Sequence, residues 1–175
     1  MTKRTAILVF SAIPLALCAA AFQQQNRISP HETVSVDLSG KQISISYGRP
    51  SLKNREFGKE VAPFGQVWRL GADEATKLTV PAAVKVQGGP QLPAGSYSLW
   101  AITGPDKWTM IINRQADVWG TNYDKSQDLA RFDLPVQKTA PVEEFTITLT
   151  KKSDKSAELT FAWGAEKVST TLTLM

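Results

Sequence analysis

A chain of 175 residues suffices for one well-buried domain and is short for two. Twenty basic residues against 16 acidic give a formal charge of +4, and without Lys3 and Arg4 the count is 18 against 16. So small and dispersed an excess argues against nucleic acid as a partner.

The chain opens on a short positive head, Lys3 and Arg4. An apolar run over 6–18 follows, then the small residues Ala19, Ala20 and Ala21. This is the pattern of a secretory signal, too short for a permanent membrane helix. Residues 1–21 are read as signal peptide with cleavage after Ala21, so the mature chain starts near Phe22, periplasmic or secreted, with no transmembrane segment. The alternative is a lipoprotein anchored through Cys18, but Leu17 precedes that cysteine where lipoprotein processing prefers a small residue. Cys18 is the only cysteine, so a chain cut after Ala21 has no disulfide to stabilise it.

Residues 22–33 are polar and unpatterned and read as a linker. They hold the only histidine, His31, which reads as an exposed linker side chain: with no second histidine and no mature cysteine, a zinc-type site is not available. From 34 to 175 the hydrophobic period is two. Val34, Val36 and Leu38 alternate with polar residues, Ser39-Gly40-Lys41 turns the chain, and Ile43, Ile45 and Tyr47 continue the alternation as a hairpin with one wet face. Further strands are expected at 77–80, 83–87, 96–102, 108–113, 131–136, 144–150, 157–163 and 167–174, separated by Gly-, Pro- and Asp-rich turns. About ten short strands, with no amphipathic helix in the mature chain, predict an all-β fold: a single antiparallel, jelly-roll-like sandwich. Its expected core includes Ile43, Ile45, Tyr47, Leu99, Ile111, Phe145, Ile147, Leu149, Leu159, Phe161, Leu172 and Leu174.

Two segments interrupt the alternation, 48–73 and 114–128. Irregular stretches this long in a compact β domain are functional or tightly packed, so any site is expected from the loops 48–76 and 114–131. Familiar nucleophilic and zinc chemistries are absent: there is no Ser-His-Asp set, no Cys-His pair, no Gly-x-Ser-x-Gly elbow and no His-Glu-x-x-His helix. A carboxylate pair remains open, with Asp73 or Glu74 opposite Asp117 or Asp124 as in a glycosidase. Asn122, Asp124, Ser126 and Asp128, with Asp133 beyond, echo a calcium loop. Gln127 stands at its turn glycine and Asp133 at its bidentate glutamate, so no metal and no cofactor is expected. Of the five tryptophans, Trp100, Trp108 and Trp163 lie in strands and read as core. Trp68 and Trp119 lie in the irregular segments and read as ligand contacts.

The stretch from Tyr47 to Thr76 carries Tyr47, Arg49-Pro50, Arg55, Phe57-Gly58, Pro63-Phe64-Gly65, Trp68-Arg69, Gly71-Ala72 and Ala75-Thr76. Farther on come LPAGSYSLW (92–100), Trp119-Gly120 and YDKSQDLAR (123–131). In these the chain resembles the bacterial domain-of-unknown-function family 2911, from about Val34 to the C-terminus. It departs from the family pattern at Asn54, where glycine is usual, and at Asp73, where asparagine is usual. The resemblance implies export and a single β domain, and no activity or catalytic residue.

Pro50 forces Arg49 into an extended conformation and so aims its side chain. Arg49, Arg55 and Arg69 stand near Asp73 and Glu74 in sequence, and the leading expectation is that Arg69 or Arg49 is partly buried and paired with Asp73 or Glu74. The residues expected to meet a ligand are Arg49, Arg55, Trp68, Arg69, Asp73, Glu74, Trp119, Asn122, Tyr123 and Asp124; none is assigned as catalytic. The leading functional reading is a non-catalytic exported module that binds a carbohydrate or an envelope protein, with enzyme activity left open. The alternatives are a carboxylate-dependent hydrolase and a structural envelope protein.

Overall fold

The structure, a computed structural model, describes residues 28–175. The signal segment 1–21, with Cys18, lies outside the described residues, as does the linker up to residue 27.

The described chain is nearly all β, in two antiparallel sheets. The strands are β1 (His31–Leu38), β2 (Lys41–Gly48), β3 (Val67–Trp68), β4 (Thr76–Val80), β5 (Val84–Val86) and β6 (Gln91–Leu92), followed by β7 (Gly95–Ile102), β8 (Lys107–Asn113), β9 (Asp128–Pro135), β10 (Gln137–Lys151) and β11 (Ser156–Leu174). The larger sheet runs β1-β2-β4-β7-β8-β9, with β3 added to β7; the smaller runs β10-β11-β5-β6. β1 begins at His31, so the last residues of the expected linker are strand, paired across to Gly48.

Apolar residues of both sheets merge into one core; every expected core residue is buried in it except Ile111, buried in a small second cluster on the outer face, and Leu149, which is partly buried. Tyr47 ties the sheets together. Its hydroxyl accepts from the Ile147 N–H at 3.0 Å and donates to Glu32 at 3.2 Å. Its ring meets Phe145 edge-on.

The two strands expected at 157–163 and 167–174 are one continuous strand, β11. The residues read as a turn between them form a bulge. Gly164 sits at φ +58, and β10 pairs with β11 on both sides of it. Buried positions are odd-numbered up to Trp163 and even-numbered from Glu166 onward, the shift by one that a single extra residue produces. β10 likewise extends through Pro141, tolerated at the edge of its sheet beside a register shift.

Both departures from the family pattern fall at left-handed backbone positions: Asn54 has φ +63 and Asp73 has φ +64. Glycine and then asparagine adopt that conformation most readily, so backbone geometry accounts for the glycine and asparagine that the resemblance implies at these positions.

Burial, the largest effect, together with the nearby Glu32 carboxylate pushes the Tyr47 phenol up to about 12, against smaller opposing pulls from the Ile147 N–H and Arg49. A folded-state value above the ordinary value near 10 stabilises the fold fully below about pH 10, and that contribution is lost as pH rises from about 10 towards 12. Tyr47→Phe is expected to cost about 1–3 kcal/mol at neutral pH, because the Ile147 N–H loses its acceptor, and to flatten the alkaline fall in stability. Denaturant melts from pH 7 to 11 measure both; an unchanged alkaline slope contradicts the assignment.

Candidate functional site

The second irregular segment folds back over the outer face of the larger sheet. Val118 and Tyr123 pack on a small second core of Ala75, Trp100 and Ile111. The Tyr123 ring lies 4.9 Å from that of Trp100, and its hydroxyl donates to Asp128 at 2.7 Å and accepts from Arg131 at 2.7 Å. Burial first, then the bond to Asp128, raises this phenol also to about 12. Tyr123 is thus an anchor for the loop. Asn122 is exposed in a turn, its N–H donating to the Trp119 carbonyl.

The candidate calcium residues separate into other tasks. Asp124 accepts from the Ser126 hydroxyl and N–H, which lower its carboxyl below the usual range, and so caps a short 3-10 turn. Asp128 holds Tyr123, Arg131 and Asn113, and Asp133 pairs with Lys107 and Thr109. No group of three potential ligands converges on one point among the described residues.

The two irregular segments meet along a short main-chain bridge. Ala75 N–H donates to Val118 at 3.0 Å, Gly120 N–H donates to Asp73 at 2.9 Å, and Glu74 stands opposite Trp119. Gly120 is required there, because a Cβ would lie 2.6 Å from the Asp73 carbonyl oxygen and would also collide with the Arg69 stem. This bridge forms a ridge with a cleft on either side.

The cleft on the sheet side has a volume of about 620 Å³. Its floor is the outward face of β2 and β4, where Ser44 stands opposite Thr79 and Ser46 opposite Lys77. His31 and Glu74 close one end, and Asp117, Val118 and Trp119 form the wall. Trp119 is 41% exposed, the most exposed tryptophan among the described residues. Asp117 is ion-paired with Lys77 at 2.7 Å. His31 Nε2 lies 3.3 Å from Asp73 and 3.4 Å from Glu74.

Several expectations are corrected here. Trp68 is core: it is buried, stacks on Trp163 at 5.3 Å, and donates its indole N–H to the Gly71 carbonyl. It follows an irregular loop but is the second residue of the two-residue β3, whose pairing with β7 turns the ring inward. Neither Arg69 nor Arg49 pairs with Asp73 or Glu74. Arg69 is half-buried and donates to the main-chain carbonyl of Asp73 at 3.2 Å. Arg49 clamps both sheets, reaching Glu32 at 3.0 Å, Glu144 at 3.3 Å and the Phe145 carbonyl. The Asp73 carboxylate turns instead to His31, the residue read as a bystander. Arg55 donates to the carbonyls of Leu52 and Ser51, both at 2.9 Å, and pins its own loop.

Of the expected ligand contacts, then, Glu74 and Trp119 line the cleft with Asp73 behind them, whereas Arg49, Asn122, Tyr123 and Asp124 do not. Ser44, Ser46, Lys77, Thr79 and His31 were missed. Their signal was the outward parity of two strands, which points to a shared floor only once β2 and β4 are known to pair.

A nearly all-β protein of two antiparallel sheets, with two loop segments bridged over an outer face, is the class this geometry defines. The model for proteins of unknown function DUF2911 matches residues 29–172, and the chain belongs to that family. No curated protein and no solved structure matches it.

With its carboxylate on His31 and its backbone left-handed, Asp73 should tolerate asparagine. Asp73→Asn is expected to change stability by less than about 0.5 kcal/mol. Asp73→Ala, which loses the contact and strains the backbone, should cost about 1–2 kcal/mol. Denaturant melts check this; a loss near 3 kcal/mol in Asp73→Asn would indicate a buried ion pair instead.

Proposed function

We propose that the chain is an exported, non-catalytic binding module on a jelly-roll-like sandwich, and that it takes a polyhydroxylated, carbohydrate-like ligand in the sheet-side cleft. The observation that carries this reading is Trp119, 41% exposed over a cleft of about 620 Å³ floored by serine and threonine hydroxyls. An exposed indole offers a flat apolar face to the C–H side of a sugar ring. Side-chain hydroxyls donate to and accept from ring hydroxyls, and carboxylates accept from them, at fixed positions that supply orientation. Ser44, Ser46 and Thr79 provide the former, and Glu74 and Asp117 the latter.

A hydrolase reading draws on the same two carboxylates, which line one cleft. Asp117 is solvent-exposed and held by Lys77, an arrangement suited to accepting hydrogen bonds more than to delivering a proton. Export rests on the signal pattern of residues 1–21. Among the described residues no helix is long and apolar enough to cross a membrane.

Titration with a panel of neutral gluco- and chito-oligosaccharides, followed by calorimetry, tests the reading. At least one series is expected to bind, with Trp119→Ala weakening it by about tenfold or more and Trp119→Phe retaining most of the affinity. No binding across the panel, or equal binding by Trp119→Ala, contradicts it. Turnover of a bound oligosaccharide would favour the hydrolase.

A further inference from the structure

On the other side of the ridge lies a second cleft of about 450 Å³, a volume within the range of small-molecule sites. Pro63, Val67 and Trp68 form an apolar wall, and Gln66, Arg55 and Arg69 add polar groups. The two arginines differ from Arg49 and Arg131, which are neutralised by Glu32, Glu144 and Asp128. Among the described residues, no carboxylate lies within ion-pair distance of Arg55 or Arg69. Their hydrogen bonds all go to main-chain carbonyls, of Leu52, Ser51 and Asp73. Carbonyl acceptors fix a guanidinium without cancelling its charge, so each is held in place with its charge unpaired at contact distance; Glu60 acts on Arg55 only from farther off. Asp73 also lines this cleft, but its carboxylate is engaged by His31.

The backbone around the cleft is held in an uncommon state. Ala62 (φ +45) and Asp73 (φ +64) line it, and Leu70 (φ +50) follows Arg69 directly. Left-handed backbone at alanine and leucine is unfavourable by about 1–2 kcal/mol per residue and persists where the surroundings over-determine it, often around ligand sites. These two non-glycine residues spend stability to set the cleft wall and the arginine.

We propose that this second cleft is a binding site for a small organic anion: a carboxylate or phosphate on a compact apolar body, its oxygens held by Arg55 and Arg69 and its apolar part laid against Pro63 and the exposed Val67. The site is separate from the sheet-side cleft and does not depend on the carbohydrate reading.

Phenylacetate, phenyl phosphate and inorganic phosphate, titrated into isotopically labelled full domain and followed by NMR, distinguish the sources. One of the two aromatic anions is expected to shift the Arg55 and Arg69 Nε–H, the Trp68 indole N–H and amides of 61–73 saturably, and to bind more tightly than inorganic phosphate. Whichever binds better identifies the anionic group. Arg69→Gln and Arg55→Gln should each weaken binding by about tenfold or more, and Lys85→Gln, on β5, should leave it unchanged. Arg55 is exposed, so Arg55→Gln carries the test even if Arg69→Gln does not fold. Saturable shifts that map elsewhere, no shifts, or undiminished affinity in Arg55→Gln overturn the proposal.

Discussion

Two main-chain hydrogen bonds, from Ala75 to Val118 and from Gly120 to Asp73, hold the two irregular segments of this molecule together. They join residues 43 and 47 positions apart in the chain, and neither segment has regular structure of its own at that point. Backbone groups covered by packing must be paired, and these pair with each other. Without the bridge, only the packing of Val118 and Tyr123 would hold the segment after β8 over the larger sheet. Trp100 and Ile111, which face outward from that sheet, would then be less well covered. The bridge and the small second core under it therefore depend on each other.

At the opposite face of the same sheet the constraint is aromatic. Phe57, Trp68, Trp108, Phe145 and Trp163 form a connected set of ring contacts between the sheets, with centroid separations from 4.8 to 6.2 Å. A cysteine-free domain has only its core to rely on, and large rings remove much apolar surface from water per residue ordered. Charge is used at the margin of that core. Glu166 is buried but meets the Trp108 indole N–H and Lys138, and Arg49 spans both sheets through Glu32 and Glu144. Each buried charge has a partner, as desolvation demands.

The strands were legible wherever one face is wet, because a period of two in Val34–Leu38 or Ile43–Tyr47 has no other physical source. The bulge at Gly164 is also written in the sequence, as a change in the parity of the apolar residues, and a strand interrupted there reads as two strands. Trp68 was misjudged for a different reason. Its neighbours are irregular, and only the pairing of β3 with β7 turns it inward. The arginine–aspartate pairing failed because sequence proximity does not specify direction. Asp73 is in left-handed conformation, which presents its carbonyl to Arg69 and its carboxylate to His31. His31 lacks a histidine partner but meets Asp73 and Glu74, 42 and 43 residues away. The site floor was the least legible part, since Ser44, Ser46, Lys77 and Thr79 are ordinary wet-face residues until β2 and β4 are seen to pair.

Amide hydrogen exchange at Ala75 and Gly120 tests the bridge most directly. If the bridge organises the ridge and both clefts, these two amides exchange only through opening of the whole domain, with the same free energy as the β4 and β7 amides of Leu78 and Leu99. Exchange at Ala75 and Gly120 as fast as in an unstructured peptide, while Leu78 and Leu99 stay protected, would contradict it.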